Sequence, residues 1–247
     1  MMKKLGLSIF VVVFVVSGVY AQDNPVMGAP TNVLGLKGAD EASLVVDVLD
    51  INKIEGVFYQ FDDIRFGRVP TDGSFLLFDS WNNRAVLDLG QEKLSVSNIN
   101  FHVDEEKFIS EMDNDSTFVY DFKGINRITV NDRPFISMYS SAAGKNKVYE
   151  IIAEGESMSL VKNYYSRVTP GSANPMLNRT RNKINLSSNY FVMINGGLLP
   201  FNGKKSGMKK ILSSDKASKL DAQVKKNKWS YKKEEDLKQI FKYLNTL

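Results

Sequence analysis

The sequence predicts a mainly β protein, an antiparallel meander folded into a sandwich or a partly closed barrel, with two short amphipathic helices at its C-terminus. Three observations carry that expectation. Short runs rich in β-branched and aromatic residues recur about every ten residues. The segments between them carry turn residues rather than helical patterns. The apolar period changes from two to 3.6 only after residue 205. The chain has 247 residues, of which 43% are hydrophobic and 24% charged, and its 15 Phe and 10 Tyr are too many for a disordered polymer.

Residues 1–21 read as a signal peptide. Lys3 and Lys4 precede an apolar run from Leu5 to Val16, and Val19 and Ala21 are the small residues expected before a cut at Gln22. The run is short for a membrane-spanning helix, and no later run reaches about 18 apolar residues, so no span is expected after cleavage. The expected location is therefore exported, periplasmic or extracellular. There is no cysteine, so neither a lipidated anchor nor a disulfide contributes, and stability must come from burial. Residues 22–41 hold Pro25, Gly28, Pro30, Gly35 and Gly38 without a sustained period and read as a flexible leader.

A β domain is expected over residues 42–205. In Asn98-Ile99-Asn100-Phe101-His102-Val103 every second residue is apolar, which places Ile99, Phe101 and Val103 on one face and His102 on the solvent side. Further strands are expected at Phe75–Phe78, Ala85–Leu89, Phe118–Phe122, Phe135–Tyr139, Val148–Ala153, Met158–Val161 and Tyr190–Ile194. Pro70-Thr71-Asp72-Gly73, Glu154-Gly155-Glu156 and Asn195-Gly196 supply the turns, and turns this short imply antiparallel neighbours. Residues 206–247 form the helical segment. Ala217, Leu220 and Val224 lie on one face of a first helix capped by Ser213 or Ser214 and stopped near Asn227. Glu234, Glu235 and Asp236 suit the start of a second, whose Leu237, Ile240, Phe241 and Leu244 make a single stripe expected to dock on the β core.

The tail Lys225-Lys226-Asn227-Lys228-Trp229-Ser230-Tyr231-Lys232-Lys233-Glu234-Glu235-Asp236-Leu237, closing with Tyr243-Leu244-Asn245-Thr246-Leu247, resembles the ending of a family of uncharacterised exported proteins from Gram-negative bacteria. Tyr149-Glu150-Ile151-Ile152-Ala153-Glu154-Gly155 and Leu160-Val161-Lys162-Asn163-Tyr164 resemble the same family. The resemblance implies a β-rich exported fold; no activity and no site residues come with it.

Chemistry-bearing motifs are sparse. His102 is the single histidine, which together with the lack of cysteine removes the usual zinc sets and the thiol–imidazole pair. No Gly-x-Ser-x-Gly elbow occurs. Gly203-Lys204-Lys205-Ser206 is like the end of a phosphate loop, but Gly197 is one residue too distant and Lys205 displaces the hydroxyl residue, so no nucleotide cofactor is expected. Asp113-Asn114-Asp115-Ser116-Thr117 opens like a calcium loop, yet Phe118 stands at the glycine position and Lys123-Gly124 where the closing glutamate belongs; it reads as a polar hairpin tip. Asp62-Asp63 and Glu105-Glu106 read equally as solvated faces or as carboxylates for acid–base work or calcium. Asn114, Asn178 and Asn185 match a glycosylation acceptor pattern that carries little weight in an Asn-rich bacterial-looking chain. No cofactor, metal or catalytic residue is assigned.

Charge is more informative. Residues 22–160 hold 12 Lys and Arg against 23 Asp and Glu, whereas residues 161–247 hold 18 against 5. Such a split means either that the halves attract each other within one fold or that the basic half meets an anionic surface. On the second reading Lys204, Lys205, Lys209, Lys210, Lys225, Lys226, Lys228, Lys232 and Lys233 form a ligand-binding patch for an anionic envelope polymer or lipid surface. Trp229 and Tyr231 either stack on that ligand or pin the two helices together. The expected function is thus a non-enzymatic binding or envelope-associated structural protein. The alternatives are a hydrolase acting on an envelope or extracellular polymer through a carboxylate pair, which needs a cleft with a carboxyl raised by burial, and a partner-dependent subunit with an exposed apolar patch.

Overall fold

Two residue patterns set the architecture: strands that bury alternate side chains, and a C-terminal helix that buries one stripe. The computed structural model describes residues 54–60, 71–112, 116–172 and 181–247, and among them the chain is mainly β. The signal peptide and leader expected at 1–21 and 22–41, Asp62-Asp63, Pro70, Asp113-Asn114-Asp115 and Asn178 lie outside the described residues.

Two sheets form. Strands β1 (Gly56–Gln60), β5 (Ile99–His102), β6 (Lys107–Glu111) and β7 (Ser116–Tyr120) make a four-stranded antiparallel sheet in the order β1-β7-β6-β5. The larger sheet contains β3 (Arg84–Asp88), β4 (Lys93–Ser97), β8 (Arg127–Val130), β9 (Arg133–Ser140), β10 (Lys145–Ala153), β11 (Ser159–Thr169), β12 (Asn182–Ile194) and β13 (Gly197–Phe201), in the order β13-β12-β11-β10-β9-β8-β3-β4. A two-residue β2 (Thr71–Asp72) joins β12 in parallel. The larger sheet does not close, so the architecture is a sandwich rather than a barrel. Its hairpins turn where the backbone can take positive φ: Asn195 and Gly196 (φ 50 and 75) between β12 and β13, and Asn131 and Asp132 (φ 46 and 64) between β8 and β9.

Three helices follow, not two: α1 (Lys205–Ile211), α2 (Ser214–Asn227) and α3 (Glu234–Leu244). The extra one, α1, is held by burial of Met208, with Ile211 one turn on packed against the same cluster. Ser213 caps α2 as expected, accepting from the Lys216 N–H, while Lys228 in the left-handed conformation (φ 55) ends it. Leu237, Ile240, Phe241 and Leu244 of α3 are all buried in one cluster with Ile152, Leu160, Val192 and Phe201 of the sheet, so the stripe docks on the β core. Each such side chain contributes about 1.5–3 kcal/mol by leaving water.

One face of the large sheet therefore carries two covers. Over β4, β3, β8 and β9 lies the four-stranded sheet, with Phe101, Phe108 and Phe135 packed ring to ring. Over β10 to β13 lie the helices.

Two local expectations are corrected. Residues 75–78 are not a strand but an irregular segment with a single bridge, Leu76 to His102, because the Asn100 side chain takes the backbone of Phe78 in place of a ladder partner (Phe78 N to Oδ1 3.1 Å, Nδ2 to Phe78 O 2.9 Å). The same segment covers the polar side of β5. His102 is accordingly buried, at 3% exposure, rather than solvent-facing.

Candidate functional site

Strand register lines up one row of side chains across the covered face. Phe135, Glu150, Lys162, Tyr190 and Phe201 are direct cross-strand neighbours on β9, β10, β11, β12 and β13. Charges at the centre of an otherwise apolar face would be costly unless paired, and here they are. Arg133 donates from Nε to Glu150 Oε1 at 2.7 Å and from Nη2 to Oε2 at 3.0 Å, a bidentate fork. The Tyr164 hydroxyl also donates to Glu150 Oε2. Lys162 Nζ lies 3.4 Å from Glu150 Oε2 and 2.6 Å from Glu234 Oε2, and the Tyr190 hydroxyl donates to the same Glu234 oxygen at 2.6 Å. Glu234 belongs to the first turn of α3, so the network ties the helical layer to the sheet. It forms a polar seam between the two apolar clusters.

A cleft of about 240 Å³ opens at this seam, lined by Asp132, Arg133, Glu150, Glu154, Glu234 and Lys238 among others. It brings together the carboxylate pair a hydrolase would use, but the electrostatics run the other way. Burial pushes the Glu150 carboxyl up, and hydrogen bonds from Arg133 and Tyr164 with the Lys162 charge outweigh it, leaving the group below the ordinary carboxylate value. Glu234 behaves alike: burial raises it, and Lys162 and Tyr190 bring it below that value. Both tyrosines are pushed up, first by burial and then by their bonds to carboxylates. The cluster is a set of stable charges, which suits holding two layers in register and does not supply a proton donor near neutrality.

The lysines expected to bind an anion lie elsewhere, on the helical layer. All nine, Lys204, Lys205, Lys209, Lys210, Lys225, Lys226, Lys228, Lys232 and Lys233, are exposed. Lys205 and Lys209 reach Asp221 Oδ2 of α2, at 2.9 and 3.5 Å. Among the described residues the other seven make no ion pair. Trp229 and Tyr231 are half-buried and pack against the helical cluster. The Tyr231 hydroxyl is buried and has no hydrogen-bond partner among the described residues; burial, and then the Asp221 charge, pushes it up to about 12.

Elsewhere, His102 Nδ1 accepts from the Glu105 N–H at 3.1 Å, and burial lowers the imidazole against the opposing Glu105 and Asp104 charges. A groove of about 590 Å³ runs along the edge strand β1, where Val57 and Phe58 are exposed. Among the described residues, no helix is long and apolar enough to cross a membrane and no group of three acidic or histidine side chains gathers as a metal site.

Sequence reasoning missed the Arg133, Glu150, Tyr164, Lys162, Glu234 and Tyr190 network. Its signal is present as two charges inside apolar runs, Glu150 in Tyr149-Glu150-Ile151-Ile152 and Lys162 in Leu160-Val161-Lys162, but their pairing depends on a register that the sequence does not display. Comparison with protein-family models, with curated proteins and with solved structures returns no match for this chain.

Proposed function

We propose that this is an exported, non-enzymatic binding protein whose helical layer presents lysines to an anionic polymer or surface of the cell envelope. One observation carries the reading. Residues 204–233 hold eleven lysines and two aspartates, and the nine candidate lysines all face solvent on the helices and the turns between them, a layer packed on the sheet. A field of one sign on a fixed scaffold attracts polyanions and accelerates their encounter. Among the described residues, Lys162 with Glu150 and Arg181 with Asp72 are the ion pairs that link residues before 161 with residues after, which supports a basic half that faces outward. The lowered Glu150 and Glu234 weigh against the hydrolase alternative.

The test is retention of the purified protein on immobilised heparin, eluted by salt. The wild-type chain is expected to need well above physiological salt, and a variant with Lys225, Lys226 and Lys228 changed to Glu to elute earlier; unchanged retention would refute the reading. N-terminal sequencing of the mature product, expected to begin at Gln22, tests export.

A further inference from the structure

Resting on that reading of the surface, the geometry points to a narrower site: a single track formed where α1, the end of α2 and the loop 229–233 meet, which takes a linear acidic polysaccharide. Two contacts bring those segments together. Lys205 and Lys209 of α1 converge on Asp221 of α2. A Cβ on Gly203 would come within 3.3 Å of the Tyr231 carbonyl, so the turn entering α1 lies against the loop leaving α2.

Helix geometry then sorts the lysines. Lys225 follows Asp221 by one turn, and Lys228 is the left-handed C-cap that ends α2. Lys204 comes from the Gly203 turn, Lys205 begins α1, and Lys232 and Lys233 come from the facing loop. Lys226, five residues beyond Asp221, is about 140° round the helix, and Lys210 is about 100° from Lys209 on α1, so both leave the track. Lys216 lies at the opposite end of α2. Asp221 orders Lys205 and Lys209, and Asp236 accepts from the Ser230 N–H of the loop, while among the described residues Lys204, Lys225, Lys228, Lys232 and Lys233 form no ion pair.

The same surface discriminates among polyanions. None of the exposed large hydrophobic residues falls between 202 and 233, so the track has nothing to insert into a bilayer. Trp229 and Tyr231 are spent in packing, which removes the stacking platform that single-stranded nucleic acids use. Every basic residue from 204 to 233 is lysine, a compact point charge that sets no bidentate geometry on its ligand. What remains is recognition by charge spacing alone, which a flexible chain of carboxylated or sulfated sugars satisfies.

The experiment compares two triple variants of equal net charge in the full protein: Lys204, Lys228 and Lys232 to Glu on the track, and Lys210, Lys216 and Lys226 to Glu off it. Binding is measured to heparin, to polygalacturonate, to phosphatidylglycerol vesicles and to an oligo-dT strand, with far-UV circular dichroism confirming the fold and the matching Gln variants replacing any triple that fails to fold. The track triple is expected to weaken heparin and polygalacturonate binding more than tenfold, the off-track triple less than threefold. By counterion release the slope of log affinity against log salt should fall by about 2 to 3 for the track triple. Equal loss in both triples overturns the track and leaves the broader surface reading standing. Loss in neither overturns both. Tighter binding to vesicles or to oligo-dT than to either polysaccharide overturns the ligand class.

Discussion

Asn245 fastens the C-terminal end of the last helix, and its removal gives a number that can be checked. Asn245 caps the end of α3 and reaches the β10–β11 turn. Its Oδ1 accepts from Ser157 N (3.1 Å), Ser157 Oγ (2.9 Å) and Met158 N (3.1 Å), and its Nδ2 donates to Met158 O and Phe241 O, both at 2.9 Å. Asn245→Ala leaves the buried Met158 backbone without these partners, at about 1–3 kcal/mol for each orphaned group, less where water enters; a total near 2–4 kcal/mol follows. Gly155 lies against the same amide, and a Cβ there would overlap it. Because Asn245 is bonded on several sides it cannot swing clear, so Gly155→Ala should cost about 2–3 kcal/mol alone. With Asn245 already Ala the added methyl fits the vacated space and should cost less than about 1 kcal/mol, a coupling of about 1.5–2 kcal/mol. Urea unfolding of the wild type, both single variants and the double variant measures this. Additivity to within about 0.5 kcal/mol would refute the argument that the amide is the obstacle.

Other perturbations follow from the buried groups. Glu150→Gln should destabilise by about 3–5 kcal/mol, since Arg133 and Lys162 lose their buried counter-charge. Because folding lowers the Glu150 and Glu234 carboxyls, their contribution is present above the ordinary carboxylate value and is lost as pH falls through the folded values, so the acid limb of a pH–stability curve should be shallower in Glu150→Gln. His102 is also lowered, which for an imidazole means that the folded state prefers the neutral form. Stability should therefore decline as pH falls below about 6.5, and His102→Gln should remove that decline; as the sole histidine, its NMR titration can be followed without overlap. Tyr231→Phe removes a buried hydroxyl with no partner among the described residues and should be neutral or stabilising by up to about 1 kcal/mol in thermal melts.

Legibility in the sequence tracked how local each signal was. α3 is readable because Leu237, Ile240, Phe241 and Leu244 repeat at helical spacing without interruption, and the turn at Asn195-Gly196 because its residue types suit positive φ. β4 and β8 each offer two apolar residues in four or five, Leu94 with Val96 and Ile128 with Val130, too short a stretch to stand out until neighbouring strands complete it. α1 carries a glycine and one buried anchor, Met208, and exists because the cluster beneath it has room for that side chain. Alternation placed Asn100 and His102 outward; a second layer, residues 75–83, covers them, and Asn100 is satisfied by backbone groups far away in sequence. Within the candidate site, the lysine excess is a matter of composition and was visible. Which lysines share a track depends on Asp221 and Gly203, and so on tertiary contacts.

The account turns on where an anionic chain lies on the folded protein. Acetylation footprinting of lysines, read by mass spectrometry with and without saturating heparin, addresses that in the unmodified protein. Protection concentrated at Lys204, Lys225, Lys228, Lys232 and Lys233, with Lys145, Lys210 and Lys226 labelled as before, is the expected result. Protection spread evenly over all exposed lysines, or centred on strands β9 to β12, would contradict it.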